Sequence, residues 1–114
     1  MHTKTRLTRS TLADTDLDLL RGLLEEQRGF RVEQLAALAQ PGSPGPFGST
    51  DGEIVASLVA GARAALRDVQ NALWRIEAGT YGCCTRCSSP LGLARLEILP
   101  QVAFCMPCQR DVAV

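Results

Sequence analysis

Three features of this 114-residue sequence predict a mainly α protein, an antiparallel two-helix coiled-coil hairpin followed by a small C-terminal four-cysteine module. Apolar residues recur at alternating three- and four-residue spacing along two stretches, as in helices with one buried stripe. A run rich in proline and glycine, QPGSPGPFGS at residues 40–49, separates the two stretches and cannot continue a helix. The last third carries two Cys-x-x-Cys pairs, Cys84 with Cys87 and Cys105 with Cys108, separated by seventeen residues.

Residues 1–13 read as a flexible N-terminal tail, since MHTKTRLTRST is basic, polar and without periodicity. The first helix is placed at about 14–39. Asp14, Asp16 and Asp18 crowd its start, where the helix dipole favours negative charge. Leu17, Leu20 and Leu24 form its stripe; the pattern falters at Gln27, Arg31 and Gln34 and resumes at Leu35 and Leu38. The proline- and glycine-rich run then makes the tip turn of the hairpin, at about 40–50.

Thr50 and Glu53 have the Thr-x-x-Glu spacing of a capping box, so the second helix is expected from about Asp51. Its heptad is unbroken: Val55, Leu58, Ala62, Ala65, Val69, Ala72, Ile76. Gly79 is the natural stop, which makes a helix of about 28 residues and about 42 Å. With residue 39 opposite residue 51, Gln27 to Gln34 would lie opposite Ala62 and Ala65, long stems covering small residues. The hairpin spans 14–79 in this reading, and the four-cysteine zinc-finger module spans 80–114. A parallel coiled-coil dimer is the structural alternative, and the Pro/Gly turn argues against it.

Two Cys-x-x-Cys turns supply the four thiolates of a tetrahedral zinc, here Cys84, Cys87, Cys105 and Cys108. Four protein ligands leave no open coordination position, so one structural zinc per chain is expected and not a catalytic one. The module is poor in apolar residues and should be ordered by metal, with Leu91, Leu96, Ile98, Leu99 and Phe104 packed around the site. A short strand pair before Cys105 and a single helical turn after Cys108 complete the expectation. Cys83 makes the cysteine count odd and reads as a bystander, with a redox role as the alternative. Arg86, Arg95 and Arg110 read as solvated surface charges before any contact to a partner.

Composition narrows the function. Twelve basic and twelve acidic residues exclude the cationic excess of an indiscriminate nucleic-acid binder. Five aromatic residues, Phe30, Phe47, Trp74, Tyr81 and Phe104, are too few and too scattered for a base-stacking platform. No apolar run is long enough to cross a membrane and no secretory leader is visible, so a cytoplasmic, thiol-reducing location is expected. No phosphate-cradling glycine loop, His–carboxylate metal site or nucleophile–base pair is present, and the only histidine, His2, falls in the tail. The chain is therefore not expected to be an enzyme and has no catalytic residue to name.

From Ala72 to Gln109, the segments ALWRIEAGTYGCCTRC, SPLGLARLEILP and FCMPCQ closely resemble the C4-type zinc finger of the TraR/DksA family. The order helix, turn, helix, zinc module is similar to that family as well. The resemblance implies the same four cysteine ligands and an elongated molecule that binds RNA polymerase directly. It also implies a hairpin inserted into the polymerase secondary channel and altered promoter complexes, with no sequence-specific DNA binding; some members act together with ppGpp. The family's best-characterised tip carries Asp-x-x-Asp-x-Ala. Its nearest match here is Asp51-x-x-Ile54-x-Ala56, where the second aspartate is absent and Glu53 is its approximate substitute. Phe47, Asp51, Glu53 and Ala56 are thus the partner-binding tip residues that the resemblance suggests. Two readings follow: a transcription regulator acting on polymerase, or a zinc-ribbon adaptor or self-association module that uses the hairpin to hold another partner.

Overall fold

The computed structural model describes residues 12–40 and 52–113. Most of the tail, the tip turn with Phe47, and both Thr50 and Asp51 lie outside them. Among the described residues four helices follow in chain order: α1 at Asp14–Leu38, α2 at Gly52–Ala78, α3 at Leu93–Ile98 and α4 at Met106–Ala113. Helices α1 and α2 are about 37 and 40 Å long and pack along each other. Their directions oppose, because Arg21 meets Glu77 while Phe30 and Arg31 share a groove with Ala65. Extending that register sets the end of α1 level with the second turn of α2, further along than the expected pairing of residues 39 and 51.

Helix α1 starts after Ala13, whose backbone is extended and whose N–H donates to Asp16 Oδ2 at 3.3 Å. An alanine cannot return a bond from its side chain, so only half of a capping box forms. The buried stripe does not stop where its apolar residues do. Leu17, Leu20, Leu24, Gln27, Arg31, Gln34 and Leu38 are all buried or half-buried, one continuous face with three polar members in its tip half. Gln27 and Arg31 lay their stems in the groove beside Ala65, and Arg31 donates to Gln34 Oε1 at 2.9 Å.

On α2 the whole heptad from Val55 to Ile76 is buried or half-buried, with Ala62, Val69 and Ala72 fully so. The helix ends at Gly79, whose φ of 80° suits glycine and strains other residues. Gly79 N–H donates to the Ile76 carbonyl at 3.2 Å and Thr80 N–H to the Arg75 carbonyl at 3.0 Å, the paired bonds of a Schellman stop. That stop turns the chain back toward the hairpin and starts the cysteine module.

One core joins the hairpin base to that module: Leu20, Leu24, Val69 and Ala72 from the helices meet Tyr81, Leu91, Leu96, Cys84 and Cys108. Three expectations about the last third are corrected. Ile98 and Leu99 do not pack around the metal site; they are 78% and 39% exposed, because Leu96 takes the inward position of α3. No strand pair precedes Cys105: the described residues hold one antiparallel bridge, between Cys83 and Pro90, and no strand. The terminal helix is longer than one turn, because it starts before Cys108 and takes that cysteine into its first turn.

Candidate metal centre

Two loops bring the four cysteines together. In the first, the Cys83–Pro90 bridge is flanked by Leu91 N–H donating to Gly82 O at 2.9 Å and Cys84 N–H donating to Ser89 O at 2.8 Å. Ser88 N–H donates to the Cys84 carbonyl at 2.9 Å, which closes a tight turn around Cys84 and Cys87. Ser88 holds φ at 67°, a left-handed conformation that costs a non-glycine residue roughly 1 kcal/mol. In the second loop, Cys105 stands just before α4 and Cys108 in its first turn, with Gln109 N–H donating to Cys105 O at 2.8 Å. A helix N-terminus favours the negative charge of thiolates.

The sulfurs of Cys84, Cys87, Cys105 and Cys108 all lie within 4.8 Å of one another. Four sulfurs about 2.3 Å from one tetrahedral zinc stand about 3.8 Å apart; Cys87 Sγ and Cys105 Sγ are separated by 3.6 Å. The four cysteines are thus positioned to bind one metal ion, and an all-thiolate tetrahedral set suits zinc. Cys83 is not in this cluster and forms no disulfide; its backbone belongs to the bridge with Pro90.

The thiols are unequal. Burial pushes Cys84 up, but the backbone donors of Cys105, Cys87 and Arg86 outweigh it and bring the thiol down to about 6. Cys87 is also lowered, first by its contacts with the Ser89 hydroxyl and backbone. Burial raises Cys108 to about 12, and the neighbouring sulfurs push in the same direction. Close sulfurs cannot all ionise without a cation between them, and a divalent ion removes that conflict.

The second loop is reached by a strap, residues 100–104, in which the carbonyls of Pro100, Val102, Ala103 and Phe104 accept hydrogen bonds from outside the strap. The buried Tyr81 hydroxyl donates to Pro100 O at 2.8 Å. Arg75 Nη2 donates to Val102 O at 3.4 Å. Thr85 donates to Ala103 O from its N–H at 2.8 Å and from its Oγ1 at 3.1 Å. Arg95 Nη2 donates to Phe104 O at 3.3 Å, while its Nη1 lies 2.9 Å from Met106 Sδ. Arg95 is therefore half-buried and engaged, not a solvated surface charge. Arg86 reaches across to Asp111 at 3.0 Å and ties the first loop to α4, and Arg110 is exposed.

The strap and its arginines were not predicted from the sequence. The available signal was Tyr81: a tyrosine directed inward needs a hydrogen-bond partner. At the tip, Glu53 and Ala56 are exposed on α2; Phe47 and Asp51 lie outside the described residues.

The geometry defines a class first: a helical hairpin closed at its base by a C4 zinc finger. Residues 79–112 match the sequence model of the prokaryotic dksA/traR C4-type zinc finger. Among solved structures, the fold is similar to that of transcription factor DksA2 from Pseudomonas aeruginosa. The TM-score is 0.59 at 22% identity, over 88% of this chain and 84% of that one. An uncharacterized protein of Aquifex aeolicus (strain VF5) is 41% identical over 49 residues, 43% of this chain, which spans 34% of that relative's length. Residues 79–112 are thus a zinc finger of the dksA/traR C4 type, carried on a chain whose fold is similar to that of DksA2.

Proposed function

We propose that this protein regulates transcription by binding RNA polymerase directly, with the hairpin reaching into the secondary channel. The observation that carries the reading is the combination of a dksA/traR zinc finger and a DksA2-like fold on one chain. Physics supports the shape. Two packed helices about 40 Å long make a thin, stiff arm, and the molecule measures 55 × 31 × 20 Å. One zinc held by Cys84, Cys87, Cys105 and Cys108 closes the base. At the other end Glu53 and Ala56 stand exposed on the first turns of α2, and with Phe47 and Asp51 they form the contact tip in this reading. An acidic tip interacts with cationic groups or a bound magnesium ion at the end of such a channel. The role is non-enzymatic and cytoplasmic, and among the described residues no helix is long and apolar enough to cross a membrane.

Site-specific crosslinking from positions 47 and 53 to purified polymerase tests the proposal. Crosslinks inside the secondary channel are the expected result. Crosslinks confined to the outer surface, or no complex at micromolar protein and moderate salt, would favour an adaptor or self-association module instead.

A further inference from the structure

We propose that the last turn of α2 is a working part of the metal site: Arg75 and Tyr81 act as positioning residues that hold the strap 100–104 so that Cys105 and Cys108 meet Cys84 and Cys87. Zinc affinity and the stability of the hairpin base are thereby coupled. Arg75 lies in the helix and Tyr81 just beyond its Schellman stop, yet their side chains take the carbonyls of Val102 and Pro100, 27 and 19 residues further along the chain. Both ends of the coupling are built in. The Arg75 carbonyl accepts Thr80 N–H at 3.0 Å and Tyr81 N–H at 3.2 Å, so the turn that aims Tyr81 is itself formed on Arg75. Arg75 is half-buried, and its guanidinium has lost water that the Val102 carbonyl replaces in part. Pro100 is buried, so its carbonyl has the Tyr81 hydroxyl in place of solvent.

These bonds exist only when the strap is docked. The strap is irregular chain with little core of its own, and ordering it depends on closing the cysteine site. Whatever Arg75 and Tyr81 add to the docked form therefore appears in metal affinity. By reciprocity the same factor appears as metal-dependent stabilisation of α2.

The proposal rests on the four cysteines holding zinc, and the test separates the two. Zinc affinity is measured by competition with a chromophoric chelator, and helix melting by circular dichroism, with and without zinc. The proteins are the full chain and its variants Arg75→Met, Arg75→Lys and Tyr81→Phe. Arg67→Met serves as control, an exposed arginine on the outer face of α2. Tyr81→Phe should weaken zinc binding about fivefold, the loss of one buried hydrogen bond, and Arg75→Met about threefold, since its bond to the Val102 carbonyl is longer. Both should melt like the parent without zinc and lower than the parent with it. Arg75→Lys keeps one donor and should recover most of the affinity, and the control should change nothing. Variants binding zinc within twofold of the parent, or melting lower by the same amount with and without zinc, would overturn the coupling and leave the zinc site standing. A parent chain that takes up no zinc would instead remove the reading on which it rests.

Discussion

The base and the tip of the hairpin are built from the same two helices and held in different ways. In the base half, Leu20, Leu24, Val69 and Ala72 are fully buried because the cysteine module covers the pair from outside. In the tip half, the facing positions are Gln27, Arg31 and Gln34 on α1 and Ala62 and Ala65 on α2, and only Ala62 is fully buried. Two helices alone cannot surround a side chain; a third layer is needed, and only the base has one. The ion pairs do not offset this. Arg21 with Glu77 and Arg28 with Glu25 are solvent-exposed, and such pairs contribute about 0–1 kcal/mol each. Stability is thus concentrated where the metal site is.

The strongest way to break this contrast is to remove the metal. Apparent zinc-binding energies of about 10–16 kcal/mol match or exceed the whole stability of a small domain, about 5–15 kcal/mol. Chelation, or Cys84→Ser, should unfold the module and lower the melting of the hairpin as well, since Leu20 and Leu24 lose their cover. Cys83→Ser should keep one zinc per chain, because Cys83 lies outside the sulfur cluster. Metal analysis and circular dichroism of the two variants check both statements, and equal zinc loss in both would place the ligand boundary one residue too late.

A core truncation should then separate the two halves of the hairpin. Leu24→Ala should cost about 2–5 kcal/mol in denaturant unfolding, whereas Gln34→Ala should stay within about 1 kcal/mol. Comparable losses would mean that the tip half is as tightly covered as the base.

Tyr81 sharpens the comparison through pH. Burial pushes its hydroxyl up to about 12 in the folded chain, with Arg75 pulling the other way. The unfolded value is about 10. The group that ionises late when folded contributes stability that is complete below pH 10 and is lost as pH rises from there toward 12. The chain has one tyrosine, so its ultraviolet titration reports this group alone. Chelating the zinc should return the titration to the ordinary range, because the strap that covers Tyr81 is released.

The smallest effect is expected at the far end. Glu53→Gln, on the exposed first turn of α2, removes the charge but keeps a side chain able to cap, and should change stability by no more than about 0.5 kcal/mol. In the proposed function it should still alter the effect on transcription, measured with purified polymerase. A large loss of stability there would show that the tip is held as firmly as the base.

The helices, their stop and the sulfur set were legible along the chain. Heptad spacing, the Gly79 stop and Cys-x-x-Cys are local patterns, read within one or two turns of chain, and each is visible without knowing what lies opposite. That Gln27, Arg31 and Gln34 cover Ala62 and Ala65 with long stems was legible as well, since small residues on the facing helix leave room for them; the tertiary structure decided the register, which sets the end of α1 level with the second turn of α2 and not residue 39 with residue 51. It also decided that Leu96 turns inward while Ile98 and Leu99 face solvent, since α3 is too short for its periodicity to show a side. The strap was the least legible part. Its hydrogen bonds join carbonyls, which every residue has, to Arg75, Tyr81, Thr85 and Arg95, scattered over three segments of the chain, and no spacing along a sequence records that meeting.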